Sequence, residues 1–218
     1  LSLGINKNET VKNKVNLTNV RLWSLEDPYL YRVVSVVNLG IENVHQTKTR
    51  FGIRTVKFDA TEGFFLNGKH LKIQGTNNHQ DHAGIGSALP DYIQYYRIKL
   101  LKKMGSNSYR TSHNAPTPEL LEACDSLGML VLDEQRLLNS SPEYVDQFKR
   151  LILRDRNHPS VFLWSIGNEE QNIQGSEYGK RIAQSLLAIQ RDLDPTRTST
   201  YAADMGNDFK GINEVIPI

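Results

Sequence analysis

From Asp155 the chain reads Asp155-Arg156-Asn157-His158-Pro159-Ser160-Val161-Phe162-Leu163-Trp164-Ser165-Ile166-Gly167-Asn168-Glu169. Val161 to Ile166 is a short apolar run between turn signals, the pattern of a parallel strand buried on both faces. It runs straight into Asn168-Glu169. A carboxylate at the end of a buried strand is costly unless a pocket uses it, and in a parallel α/β barrel the C-terminal strand ends are where reacting groups sit.

The pattern on either side extends this reading to a barrel. Strands are predicted at Leu71–Gly75, Ser106–Arg110, Met129–Asp133, Val161–Ile166 and Thr198–Ala202, alternating with segments of 3.6-residue periodicity. Ile93, Tyr96, Leu100, Leu101 and Met104 form one expected inward stripe. Leu120, Leu121, Cys124 and Leu127 form another, which makes the single cysteine a core residue. Ser141-Pro142 opens a third helix with Val145, Phe148 and Ile152 inward, and Ser176 caps a fourth with Tyr178, Ile182, Leu186 and Ile189 inward. Strand starts recur roughly every 32 residues, so an eight-unit barrel of ~250 residues would end near residue 320. The 218 residues accommodate about five units, with a sixth strand expected at Val215-Ile216-Pro217-Ile218. An open barrel would leave Phe162, Trp164 and Ile166 poorly covered.

Before residue 61 the pattern differs. Tyr29, Tyr31, Val33, Ser35 and Val37 alternate with Leu30, Arg32, Val34 and Val36, and a second extended stretch is expected from Thr47 to Phe58 after a polar connection from Asn38 to Gln46. Period-two segments rich in β-branched and aromatic residues point to an antiparallel sandwich, and about 60 residues is short of the ~100 that an immunoglobulin-like one needs. Asn67-Gly68 between apolar residues marks a hairpin just ahead of the barrel. The expected organisation is a partial immunoglobulin-like β-sandwich over 1–60 and the N-terminal portion of a TIM (β/α)8 barrel over 61–218, an α/β fold overall.

Composition narrows the partners. Lys and Arg total 26 against 24 Asp and Glu, a net charge of +2 with no long run of one sign, so neither nucleic acid nor a membrane surface is selected. No apolar stretch reaches the roughly 18 residues of a membrane span, and Leu1-Ser2-Leu3-Gly4 lacks signal-peptide character. A cytoplasmic or periplasmic bacterial location is the expectation, with self-association compatible.

Polar residues gather after four of the strands: Asn77-Asn78-His79-Gln80-Asp81-His82, Arg110-Thr111-Ser112-His113-Asn114, Asp133-Glu134 and Asn168-Glu169-Glu170. One His or Asp after a strand is more often a turn residue. Four loaded strand ends on one face point to a pocket rim.

Three long motifs carry a resemblance to glycoside hydrolase family 2, the β-galactosidase and β-glucuronidase family. These are the Asp155–Glu169 run, Leu66-Asn67-Gly68-Lys69 through Gly75-Thr76-Asn77-Asn78-His79, and Asn107-Ser108-Tyr109-Arg110-Thr111-Ser112-His113 through Asp133-Glu134. Leu22-Trp23-Ser24-Leu25-Glu26-Asp27-Pro28-Tyr29-Leu30-Tyr31 and Gly52-Ile53-Arg54 resemble the end of the immunoglobulin-like domain before the family's barrel. The resemblance implies a retaining, exo-acting β-glycosidase, with a β-galactoside the leading substrate and a terminal β-linked sugar the partner. It makes Glu169 the general acid/base, Asn168 the partner of the sugar 2-hydroxyl, Arg110 a buried positive charge beside the carboxylates, His79 and His113 contacts to substrate hydroxyls, and Asp81 a residue of the sugar-pocket loop. Retention needs a second carboxyl ~5 Å from the first. The family carries it on strand seven, expected near residue 262, so these 218 residues alone are expected to be inactive. After Asp133-Glu134 this chain reads Gln135-Arg136-Leu137-Leu138 where metal-dependent β-galactosidases carry a further Glu and His, so no metal or other cofactor is expected. Two rivals remain: a metal-dependent hydrolase using His79, Asp81, His82 and His113, and a non-catalytic carbohydrate-binding fragment.

Overall fold

The computed structural model describes residues 6–204 and 210–218, which leaves the Leu1-Ser2-Leu3-Gly4 start outside the described residues. In chain order the strands and helices are β1 (Tyr31–Leu39), β2 (Glu42–Phe51), β3 (Val56–Asp59), β4 (Gly63–Leu66), β5 (Lys69–His70), β6 (Gly75–Asn78), α1 (Asp91–Met104), β7 (Ser108–Thr111), α2 (Pro118–Leu127), β8 (Leu130–Glu134), α3 (Pro142–Asp155), β9 (Val161–Asn168), α4 (Glu177–Leu193) and β10 (Thr198–Ala202). β6 to β10 form one parallel sheet in the order β10-β9-β8-β7-β6. Each strand lies beside its neighbour in sequence with a helix between, except that the segment after β10 ends in a 3-10 turn at Gly211–Glu214. That is the order of successive units of a (β/α) barrel.

β9 is buried at all eight positions, as an apolar run flanked by partners on both sides requires. Phe162, Trp164 and Ile166 are therefore covered, against the expectation that an open barrel would expose them. Two register shifts explain how. Val131 pairs with Val161 and Leu132 with Leu163, so the extra residue at Phe162 turns both Phe162 and Leu163 toward one cluster with Trp23, Phe64 and Leu66. Trp164 and Ile166 then face the other cluster, among Phe148, Ile152, Ile182 and Leu186 of α3 and α4.

The first predicted barrel strand, Leu71–Gly75, forms only from Gly75. Over 71–74 the Asn107 side chain takes the place of a ladder: its Nδ2 donates to Lys72 O at 2.9 Å and its Oδ1 accepts from Gln74 N at 2.8 Å. Val215–Ile218 is not a strand. It leaves the 3-10 turn as irregular backbone, and Thr200 Oγ1 donates to Ile218 O at 2.6 Å. On α1 the inward residues are Ile93, Gln94 and Ile98, whereas Tyr96, Leu100 and Met104 are exposed. A polar residue at an inward position, Gln94, hid that face. Ser176 caps α4 by accepting from Gly179 N at 3.0 Å, but Tyr178 points to solvent.

The N-terminal part contributes a hairpin and a plug. β1 and β2 pair antiparallel from Tyr31↔Phe51 to Leu39↔Glu42, so the expected polar connection over Asn38–Gln46 is mostly strand, turning at Gly40-Ile41. Gln46, His45 and Glu42 sit there opposite Val36, Val37 and Leu39 across the ladder, a polar run that composition alone reads as a loop. The second strand stops at Phe51, short of Phe58, because the backbone leaves to meet the barrel: Trp23 N donates to Ile53 O at 2.8 Å and Arg54 Nε to Pro159 O at 2.6 Å. Trp23 is fully buried and its Nε1 donates to Asp125 O at 2.8 Å. The β3-β4-β5 sheet turns at Asn67 (φ 53°) and Gly68 (φ 75°), both left-handed, as the Asn-Gly pair predicts. It stacks Phe58 on Phe162 and sets Phe64 edge-to-face against the same ring.

Candidate active site

Glu134 ends β8 with its side chain completely buried, and the two flanking strands, β7 and β9, supply its partners. Arg110, at the end of β7, donates through Nε to Glu134 Oε2 at 2.8 Å and reaches Asn168 Oδ1 on β9 through Nη2 at 2.5 Å. Ser165 Oγ on β9 donates to Glu134 Oε2 at 2.9 Å, and Glu134 N donates to Thr111 Oγ1 at 2.9 Å. His113 Nδ1 lies 2.9 Å from Glu134 Oε1 and 3.3 Å from Arg110 Nη2. A carboxylate only accepts, so the hydrogen bond to Glu134 requires the Nδ1–H form of His113. With Arg110 only 17% exposed and Glu134 fully buried, this ion pair stands where hydrophobic replacements would suit stability equally well. The network's effect is to fix the geometry of the strand ends.

The second register shift in β9 makes the network possible. Thr200 pairs with Ser165 and Ala202 with Asn168, so three steps of β9 run beside two of β10. In a regular strand, residues three apart point to opposite faces. The extra residue brings Ser165 and Asn168 onto the same side, where both reach the Glu134–Arg110 pair. Gly167 permits the fold-back, since a Cβ there would lie 2.9 Å from Leu138 N.

His79 follows β6, and its ring stands edge-to-face against His113 at 5.0 Å. Its loop is held from below by Arg97, whose Nη2 donates to His79 O at 2.6 Å, and is tied to the next loop by Gln80 Nε2 donating to Ala115 O at 2.8 Å. Asp81 sits in the same loop, exposed, and no described polar contact joins it to the network. Glu169 follows Asn168 directly. Its side chain is exposed and its backbone is left-handed, at φ 56°. For a residue with a Cβ that conformation costs on the order of 1 kcal/mol or more and persists only where the surroundings enforce it. Here Glu169 N donates to Ala202 O at 2.9 Å, and Asn168 O accepts from Arg136 Nη1 at 3.0 Å.

The structure thus joins Arg110, His113, Asn168 and, through ring contact, His79, with Glu169 beside them. Glu134 is the functional-site candidate the sequence did not single out. Its signal was positional: a charged residue one step past Asp133 at a strand end must face the side opposite to Asp133. Asp133 faces the helices, completely buried, with no hydrogen-bond donor on either oxygen among the described residues. Burial, reinforced by the Asp155 carboxylate next to it, pushes its pKa well above the usual aspartate range. A cleft of about 480 Å³ lined by Phe51, Arg54, Arg156, Pro159 and Arg197 lies at the opposite end of the sheet, where Arg54 already donates to the carbonyls of Pro159 and Val161. The convergence of side chains at the C-terminal end makes that end the candidate site.

A segment of an immunoglobulin-like domain leading into a (β/α) barrel, with polar strand ends on the barrel's functional face, defines the class. The family model for the TIM barrel domain of glycosyl hydrolases family 2 matches residues 56–141 and 138–216, and a second model of the same family matches 2–54. The chain belongs to glycosyl hydrolase family 2. It is 39% identical over 229 aligned positions to the β-galactosidase BoGH2A of Bacteroides ovatus, covering 86% of this chain and 27% of that protein. It is 34% identical to a putative β-glucuronidase of Formosa agariphila, covering 88% and 19%. A solved family 2 member from Bacteroides cellulosilyticus superposes with a TM-score of 0.79 at 36% identity, over 84% of this chain and 25% of that one. The chain therefore spans about a quarter or less of the length of these relatives.

Proposed function

We propose that the protein carrying this chain is a retaining, exo-acting β-glycosidase that removes terminal β-linked galactose, with Glu169 as general acid/base. The observation that carries the proposal is the placement of Glu169. It extends the one strand end that Arg110, through Asn168, ties to Glu134 and His113, and its carboxylate is free to meet a glycosidic oxygen while its backbone is held. In this reading Asn168 meets the sugar 2-hydroxyl, Arg110 supplies positive charge beside the reacting carboxylates, and His79 and His113 bind other hydroxyls, with Asp81 on the pocket loop. Glu169 protonates the leaving oxygen while the second carboxylate, assigned to the seventh barrel strand, attacks the anomeric carbon. Glu169 then takes a proton from the water that releases the sugar. Galactose is placed ahead of glucuronic acid because the β-galactosidase BoGH2A shares the higher identity of the two relatives above. The division into an immunoglobulin-like part over 1–60 and a barrel part over 61–218 belongs to the same proposal.

Among the described residues, His79, Asp81, His82 and His113 do not come together as a group of three metal-ligating side chains. The test compares hydrolysis of nitrophenyl β-galactoside and β-glucuronide by the complete gene product, its Glu169→Gln variant and the 218-residue chain. Glu169→Gln should lose about 10²- to 10⁴-fold in rate and the 218-residue chain should be inactive. An undiminished variant would refute the acid/base, and turnover by the chain alone would refute the placement of the nucleophile.

A further inference from the structure

We propose that Glu170 and Tyr201 are positioning residues that hold the backbone corner from which Glu169 acts, an inference that rests on the acid/base reading of Glu169. The two consecutive glutamates are treated differently by the fold. Glu169 has an exposed side chain, and no described residue hydrogen-bonds to its carboxylate. Glu170 has a side chain only 15% exposed, and both of its oxygens are engaged: Oε1 accepts from Leu138 N at 3.1 Å, and Oε2 accepts from the Tyr201 hydroxyl at 2.8 Å. The same hydroxyl accepts from Glu170 N at 2.7 Å. Tyr201 thus holds Glu170 at both its main chain and its side chain. A carboxylate so occupied is a poor proton donor to a substrate but a good anchor.

The anchor ties three strand ends together. Leu138 belongs to the connection after β8, Glu170 to the end of β9 and Tyr201 to β10. Gly167, which has no Cβ to keep Leu138 N away, lets that amide reach Glu170. Main-chain contacts complete the corner, because Gln171 N donates to Glu169 O at 2.8 Å and Gln174 N to Glu170 O at 2.9 Å. Tyr201 is buried, and that burial together with the hydrogen bond to Glu170 keeps its phenol protonated well above the usual range, so it remains a donor at any working pH. Asn168 O, Glu170 N and Glu170 O, which flank Glu169, are therefore each held by a partner other than Glu169, and its left-handed φ is imposed by neighbours. Proton transfer tolerates little error in placement, and a shift of about 1 Å at a reacting group is enough to cost on the order of 100-fold.

The experiment uses the complete gene product and variants Tyr201→Phe, Glu170→Ala, Glu170→Gln and Glu169→Gln. Each is assayed for kcat/KM on phenyl and 2,4-dinitrophenyl β-galactosides, or the β-glucuronides if those are the sugars it cleaves. Dinitrophenolate departs without a proton, whereas phenolate needs the acid. A displaced acid therefore harms only the phenyl substrate. Tyr201→Phe and Glu170→Ala should lose about ten- to 100-fold on the phenyl glycoside and only about threefold or less on the dinitrophenyl one. Glu170→Gln, which still offers an oxygen to Leu138 N, should fall between. Equal losses on both substrates, or none, would overturn the inference; if Glu170→Ala does not fold, the nearly isosteric Tyr201→Phe decides. A Glu169→Gln variant without the leaving-group-selective loss would instead overturn the acid/base reading itself. If Glu169→Gln shows that loss and the other variants do not, only the positioning role fails.

Discussion

At the N-terminal end of the sheet, Trp23, Phe64, Leu66, Phe162 and Leu163 are buried against one another with few polar groups between them. At the C-terminal end the equally buried Glu134 makes polar contacts with Arg110, His113 and Ser165, and Arg110 extends them to Asn168. Both ends are closed to water at their centre. One is closed by area removed from solvent, the other by charge matched to charge, and the two respond differently to change. Apolar packing tolerates exchange at similar volume, whereas a buried charge tolerates the loss of no partner. The sealed end therefore holds the units in register, and the charged end spends its burial on fixing geometry.

Trp23→Ala tests the sealed end and should have the largest effect, a destabilisation of about 3–5 kcal/mol from cavity and lost burial. Urea denaturation measures it, and a change below about 1 kcal/mol would mean that the N-terminal segment does not plug the barrel. Glu134→Gln tests the charged end. It removes the negative charge facing Arg110 and His113 and should cost about 2–3 kcal/mol, with lost glycosidase activity in the complete gene product at temperatures where the variant remains folded. A variant that keeps full activity would sever this network from the site.

Asp133, beside Glu134 but on the opposite face, sharpens the comparison through pH. Its folded-state pKa lies above its unfolded value, so the folded chain binds a proton that the unfolded chain sheds. Its contribution to stability is then greatest below the ordinary aspartate pKa of 3.8 and is lost as pH rises through the interval up to the folded value, at about 1.4 kcal/mol per pH unit for one proton. Asp133→Asn should remove that slope, seen as a flatter dependence of unfolding free energy on pH above 4. An unchanged slope would show that Asp133 does not hold its proton. Tyr178→Gln, on the solvent side of α4, should stay within about 0.5 kcal/mol of the parent. A larger loss would place that tyrosine back on the inward face.

Much of the fold was legible because periodicity reports burial. β9 and β10 begin where the apolar run and its flanking turns place them, and Ser141, Ser176 and Asn67-Gly68 mark their caps and turn. The α1 stripe failed because two overlapping faces of one helix were both partly apolar, and the neighbours that chose between them are distant in sequence. The polar hairpin β1-β2 failed for a related reason: cross-strand pairing satisfies the backbone of a segment whose exposed polar side chains composition assigns to a loop. In the candidate site the residue types and strand ends were readable, but Glu134's central place was not, because facing direction depends on a register that no local pattern encodes.

Local order along the chain was enough to specify alternating strands and helices, the polar strand ends and the Asn168-Glu169 pair, since each follows from neighbours a few residues apart. The folded molecule supplied what depends on long-range pairing. Its two register shifts in β9 send Leu163 to the sealed end and turn Ser165 and Asn168 to one side. It buries Glu134 between Arg110 and His113, and gives two adjacent glutamates opposite fates: Glu170 is tied to Leu138 and Tyr201, and Glu169 is left at the open rim. A one-residue slip reverses every face in a strand, so such decisions belong to the packed sheet.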